Sequence, residues 1–236
     1  MSWTDFCAID TISKLVKKFN IDTLIETGTF RSQNARVMSS IFSNVLTCEV
    51  NDEYYWYSVN KTLFIPNIKV MHKNSVDFLK LVSLSSNKNL FYYLDAHFYD
   101  PTLPKEEKFV VKKELKSINS NCNCIIVIHD FDTENGLGHL VYDRDSLNFD
   151  VVQSELYRIN PNFVYYTNDL STCDIVTIDD ISSNKLPNLS VDNENIDSLK
   201  FVWSNPFKTY RGILYCLPTE VDSYVYNIKK RDDWSK

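Results

Sequence analysis

This chain of 236 residues has only four glycines, no paired Cys-x-x-Cys spacing and no excess of positive charge. The six cysteines, at 7, 48, 122, 124, 173 and 216, are scattered, and Cys122 and Cys124 would point to opposite faces of an extended segment. A cysteine-built zinc site is excluded by that spacing, and reduced structural thiols are expected. A net charge of −6 gives no general attraction to a phosphate backbone, which makes nucleic acid a disfavoured partner. The basic run Lys229-Lys230-Arg231 is offset at once by Asp232 and Asp233 and reads as a solvated tail. No apolar run approaches the roughly 20 residues that span a bilayer, and Met1-Ser2-Trp3-Thr4-Asp5 has neither region of a signal peptide. No membrane partner and a cytoplasmic location are therefore expected.

What the chain does have is enough apolar material for a core: 44% hydrophobic residues, of which aromatics make 14% of the chain, argue against disorder. The length suits one domain over residues 1–236. Phe6, Ile9, Ile12, Leu15, Val16 and Phe19 recur at helical spacing, with Asn20 placed to end the helix. Strands are then expected at 23–26, 44–50, 68–72, 90–94 and 124–128, alternating with helices at 31–42, 52–63, 76–84 and 105–118. Cys124-Ile125-Ile126-Val127-Ile128 is the continuous β-branched run of a strand covered on both faces. Such an alternation predicts an α/β fold with a doubly wound, mostly parallel sheet. A helix at 150–159 and strands at 163–167 and 211–217 would complete about seven strands, with an antiparallel hairpin at the C-terminal edge. The Ser-, Asn- and Asp-rich stretch 181–197 has no period and reads as a loop or lid.

In an open α/β sheet a ligand sits beyond the carboxyl ends of the strands, where strand order reverses. The residues after the five expected strands include Glu26, Thr27, Gly28, Thr29 and Phe30, then Glu49, then Asn74 and Ser75, then Asp95 and His97, then His129 and Asp130. Gly28 suits a turn that needs positive φ or a close backbone approach. Glu49 follows about twenty residues later, where a carboxylate can hold both hydroxyls of a ribose. NAD and S-adenosylmethionine both present a ribose, but a dinucleotide fingerprint uses three spaced glycines to admit a pyrophosphate, and here Arg31 and Ser32 follow a single one. The loop favours S-adenosylmethionine, with Glu26 available to its cationic amino group. The aromatic runs Phe91-Tyr92-Tyr93 and Tyr54-Tyr55-Trp56-Tyr57 are expected mainly to pack in the core or on the surface.

Glu-Thr-Gly-Thr-Phe at 26–30, Thr-Cys-Glu at 47–49, Asn-Ser at 74–75, Leu-Asp-Ala-His at 94–97 and Ile-His-Asp-Phe at 128–131 resemble the successive motifs of class I, Rossmann-like S-adenosylmethionine-dependent methyltransferases. Within that group the chain looks most like small-molecule and sugar O-methyltransferases of the macrocin O-methyltransferase-like kind. The resemblance covers roughly residues 20–135 and implies cofactor contacts from Glu26, Thr27, Gly28, Thr29, Phe30, Glu49, Asn74, Ser75 and Asp95. It also implies a small-molecule acceptor, with His97, His129 and Asp130 as the catalytic candidates. His97 is the first choice of base because Asp-Ala-His sets it on the side of Asp95, and His129 is the second. In several relatives two acids at the fifth strand ligate a divalent metal; here the first is His129, so a histidine base and a metal bound by Asp95, Asp130 and one histidine both stand open. Ser32 stands where many relatives have glycine, which keeps two other readings in view: a cofactor-binding module without methyl transfer, and a nucleotide-sugar or NAD enzyme.

Overall fold

A computed structural model describes residues 6–83, 89–96, 109–120, 124–134, 141–142, 145–168 and 211–234. Helix α1 (Phe6–Phe19) buries Ile12, Leu15 and Val16, the i, i+3, i+4 face of its apolar stripe. It ends at Asn20, whose φ of 51° places it in the left-handed region, while the Ile21 N–H closes back on the Val16 carbonyl at 3.1 Å. Strand β1 (Thr23–Thr27) follows, then helix α2 (Gln33–Met38), β2 (Asn44–Glu49), α3 (Asp52–Thr62), β3 (Ile68–His72), α4 (Ser75–Ser83) and β4 (Leu90–Leu94). Helix α5 (Val110–Lys116), β5 (Cys124–His129), a short ribbon of β6 (Val141–Tyr142) and β7 (Asp145–Ser146), and α6 (Phe149–Ile159) come next. The chain closes with β8 (Val164–Asn168), β9 (Ile213–Leu217), α7 (Ser223–Tyr226), β10 (Ile228–Lys230) and a short 3-10 turn at Asp232–Trp234.

The main sheet has eight strands in the order β10-β8-β9-β5-β4-β1-β2-β3. Strands β1 to β5 are parallel to their neighbours among themselves, whereas β9 runs antiparallel to both β5 and β8. The expected antiparallel C-terminal edge is present with one strand more than the sequence pattern supplies. β9 sits inside the sheet, and the outer position goes to β10, paired antiparallel with β8. Lys229 and Lys230 therefore belong to an edge strand and are not a solvated tail. A three-residue edge needs only backbone pairing, and its lysines discourage a further strand from adding.

Alternate residues of each strand enter two separate cores. Ile25, Tyr92, Ile126 and Leu214 join α4, α5 and α6 on one face; Leu24, Phe91, Ile125 and Tyr215 join α1 and α2 on the other. Coverage on both faces is why β1, β4, β5 and β9 are buried throughout and read as apolar runs rather than as alternations. Two helices differ from expectation: α2 is six residues long rather than the span 31–42, and α5 is described only from Val110. Cys48, Cys124 and Cys216 are buried thiols, none of them in a disulfide. Among the described residues no helix is long and apolar enough to cross a membrane. The stretch 181–197 lies outside the described residues.

Candidate active site

Strand order reverses at β1, which lies between β2 and β4, so the loops after β1 and β4 face one crevice. Gly28 stands at that point with φ of 81°, and a Cβ there would come within 2.9 Å of the Asp95 carbonyl oxygen and 3.0 Å of the Ala96 Cα. Both reasons for a glycine hold at once: a left-handed backbone and a close approach, here of the two loops to one another. Thr27 ties the same loops together, its Oγ1 accepting the Asp95 N–H at 3.1 Å.

The amides after β1 are already engaged. Gly28 N–H and Thr29 N–H both donate to the Cys48 carbonyl, at 3.1 and 2.9 Å, and Phe30 N–H donates to Glu49 Oε2 at 2.8 Å. A loop with its donors turned toward β2 presents no cradle for a pyrophosphate, and α2 behind it is too short to add much of a dipole. With so few glycines, ordinary residues adopt the left-handed conformation at this edge: Phe30 at φ 49°, Ser32 at 61° and Asp130 at 57°. Ser32 thus supplies the turn that glycine would make, at a backbone cost of about 1–3 kcal/mol for each such residue.

Glu26 is 2% exposed and sits beneath this loop. Asn34 Nδ2 donates to its Oε1 at 2.7 Å and Thr47 Oγ1 to its Oε2 at 2.6 Å, while the Thr29 and Thr47 hydroxyls share a hydrogen bond. Burial pushes its carboxyl from 4.5 up to about 7, against the hydrogen bonds from Thr47 and Asn34 and with help from the charges of Asp95 and Glu49. Because this value is raised on folding, its stabilising contribution is complete below about pH 4.5, fades as pH rises through about 7 and is absent above. Glu26→Gln, neutral at every pH and able to keep both partners, should therefore resist urea better than the parent chain above pH 7, by up to about 3 kcal/mol, and gain nothing near pH 4. Urea titrations at the two pH values measure this, and equal differences at both would contradict it.

Glu49 accepts from three backbone N–H groups, those of Phe30, Val50 and Asn51, and so fixes the turn from β2 into α3. Asn74 caps α4, its Oδ1 accepting the Asp77 N–H at 2.9 Å and its Nδ2 donating to Asp77 Oδ2 at 2.7 Å; Ser75 beside it is buried. The aromatic run on α3 lies at the surface: Trp56 is 60% exposed, Tyr55 stacks on His72, and Tyr54 meets the Phe30 ring edge-on.

At the ends of β4 and β5 the structure assembles a tight group. His129 Nδ1 lies 3.0 Å from Asp95 Oδ1 and 3.5 Å from Asp130 Oδ1, and the three side chains are 2%, 8% and 13% exposed in that order. A carboxylate only accepts, so Nδ1–H donates to Asp95 and the basic lone pair is left on Nε2. His97 lies outside the described residues. One residue of this group escaped the sequence reading: Arg211, whose Nε–H donates to Asp130 Oδ1 in an ion pair. Since β9 runs antiparallel to β5, its first residues arrive where β5 ends. An arginine just ahead of an antiparallel strand was the available signal.

Ligand atoms of Asp95, His129 and Asp130 all lie within 4.8 Å of one another, and two carboxylates with an imidazole are a donor set for a hard or borderline cation. Their engagements do not fit one. Nδ1 of His129 is turned to Asp95, and Asp130 already carries the Arg211 guanidinium.

Neither a protein-family model nor a curated protein sequence matches this chain. Solved structures do. An O-methyltransferase from Bacillus cereus, in complex with S-adenosylhomocysteine, superposes with a TM-score of 0.53 at 12% identity over 91% of this chain and 82% of that one. A proposed O-methyltransferase from Klebsiella pneumoniae gives 0.51 at 11% identity, over 91% of this chain and 81% of that one. The fold is that of a class I, Rossmann-like methyltransferase. Identity this low carries the architecture across and leaves the chemistry to the residues of this chain. In this chain the Gly28 loop, Glu49 and the Asp95–His129–Asp130 group all stand at the carboxyl ends of the parallel strands, the edge at which open α/β sheets generally take ligands.

Proposed function

We propose that this protein is an S-adenosylmethionine-dependent methyltransferase that O-methylates a small-molecule or sugar hydroxyl, with His129 as general base. The observation that carries the reading is the hydrogen bond from His129 to Asp95, made at the strand ends next to the Gly28 turn. S-adenosylmethionine, when bound, supplies an electrophilic methyl group on a sulfonium. The residues of the chain then have three tasks. The Gly28 turn and Glu49 shape the crevice for an adenosine, Val50 adding exposed apolar surface beside the carboxylate that would meet the ribose. The buried Glu26, Thr47 and Asn34 network holds the loop from below. His129 takes the acceptor's hydroxyl proton on Nε2 as the oxygen attacks, and Asp95 stabilises the imidazolium that forms.

Proximity and alignment supply much of the acceleration in such a displacement, so the fold contributes by holding both partners in line. The acidic chain, at −6, supports a small acceptor over a nucleic acid. The loop amides engaged by Cys48 favour S-adenosylmethionine over NAD. S-adenosylhomocysteine at about a hundredfold excess over its Kd should raise the unfolding midpoint by roughly 5–10 °C. A thermal-shift series with S-adenosylmethionine, S-adenosylhomocysteine and NAD measures it; stabilisation by NAD alone would overturn the cofactor assignment.

A further inference from the structure

We propose that Arg211 is the resident cation of the acceptor edge, a positioning residue that supplies the positive charge a divalent metal ion would otherwise bring to Asp95, His129 and Asp130. Its place is built into the fold. The Asn168 side chain grips the strand start from both sides: Nδ2 donates to the Arg211 carbonyl at 2.9 Å, and Oδ1 accepts the Ile213 N–H at 2.9 Å. Asn168 ends β8 and Arg211 precedes β9, so two adjacent antiparallel strands aim one guanidinium at the end of β5.

Charge accounting explains why one guanidinium suits this group. Asp95 and Asp130 bring two negative charges into a nearly buried cluster, where an unbalanced charge is poorly screened. Arg211 offsets one of them permanently, since a guanidinium does not lose its proton. Asp95 lies against the His129 imidazole, 3.0 Å from Nδ1. A guanidinium on Asp130 holds the carboxylate oxygen that a metal ion would need as a ligand. Arg211 also engages Asp130 through Nε alone, and among the described residues no partner is recorded for its terminal nitrogens. Its side chain is 29% exposed. As part of a methyl-transfer site Arg211 depends on the function proposed above; as the occupant of the cation position it does not.

Manganese titrations of the full chain, with free Mn2+ followed by electron paramagnetic resonance, test this directly. The parent and Arg211→Lys, which keeps the charge, should hold no Mn2+ tighter than about millimolar, whereas Arg211→Met should gain about tenfold or more in affinity and lose that gain when Asp130→Asn is added. Mn2+ bound by the parent as tightly as by Arg211→Met, or no gain in a folded Arg211→Met, would overturn the proposal. Should Arg211→Met fail to fold, the parent decides alone: Mn2+ binding that Asp130→Asn removes refutes it, and no binding supports it. S-adenosylhomocysteine thermal shifts on the same samples separate the two readings. A chain that ignores the nucleoside yet gains Mn2+ on loss of Arg211 keeps this cation assignment and loses the methyl-transfer one.

Discussion

His129→Asn should lower kcat for methyl transfer by about 10²- to 10⁴-fold, the range that a positioned general base contributes, with little change in KM. Asparagine is the informative replacement, because its side-chain amide can keep the donor to Asp95 that Nδ1 provides and removes only the basic nitrogen. The cluster then stays packed beside Tyr93, whose ring lies 5.9 Å from that of His129, while the route for the hydroxyl proton is gone. Release of S-adenosylhomocysteine, followed over a panel of hydroxylated small molecules, provides the assay. Turnover within about threefold of the parent would remove His129 from the base role and return it to His97, the first choice on sequence grounds.

The parts of the fold legible in the sequence are those in which local pattern and tertiary burial agree. Cys124–His129 reads as a central strand because both of its faces are covered, and Ile12, Leu15 and Val16 mark the buried side of α1 by spacing alone. The placement of the candidate residues is legible to the same extent: residues immediately after neighbouring parallel strands share one edge of the sheet, so the strand pattern alone brings Gly28, Glu49, Asp95, His129 and Asp130 to it. What these residues do when they arrive is less legible. Asn74 has an amide that suits a ligand, but it caps a helix, and Glu49 has a carboxylate that suits a ribose, but it also closes a turn with three backbone N–H groups. Polar side chains at strand ends serve both needs, and spacing does not separate them.

The elements missed are those whose reasons lie far away in the chain. β10 is three residues of mixed character, stabilised by pairing with β8 some sixty positions earlier. Arg231 just beyond it reads as one charge in a tail, yet it is 9% exposed. It donates to the Thr133 carbonyl, Glu134 and Asp233 and lies 3.7 Å over the Trp234 ring. Arg211 is missed for the same cause, since its partner is Asp130, just past β5, a strand whose adjacency only the antiparallel insertion of β9 reveals.

Gly212→Ala should produce the largest loss of stability of any single methyl group added at this edge. A Cβ on Gly212 would fall 2.0 Å from the Phe131 carbonyl oxygen and 3.0 Å from Thr133 Cγ2, and the first of these contacts is with backbone that cannot rotate away. Relief requires the start of β9 to separate from the segment after β5, which breaks the hydrogen bond from Phe131 N–H to the Gly212 carbonyl, now 2.9 Å long. Overpacking with backbone displacement and a lost hydrogen bond together make about 3 kcal/mol or more, or a fall of roughly 6–12 °C in the unfolding midpoint. Unlike Gly28, Gly212 needs no positive φ, so the effect is one of space alone, and serine should be no better tolerated than alanine. Denaturant titration of both variants measures it; a change of less than about 0.5 kcal/mol would mean that the two segments do not meet as closely as this. The same displacement carries Arg211 away from Asp130, so a folded Gly212→Ala chain should also take up Mn2+ more readily than the parent. That coupling joins the close backbone approach at Gly212 to the charge of the site: the room left by one absent side chain lets an antiparallel strand deliver its arginine to the end of β5.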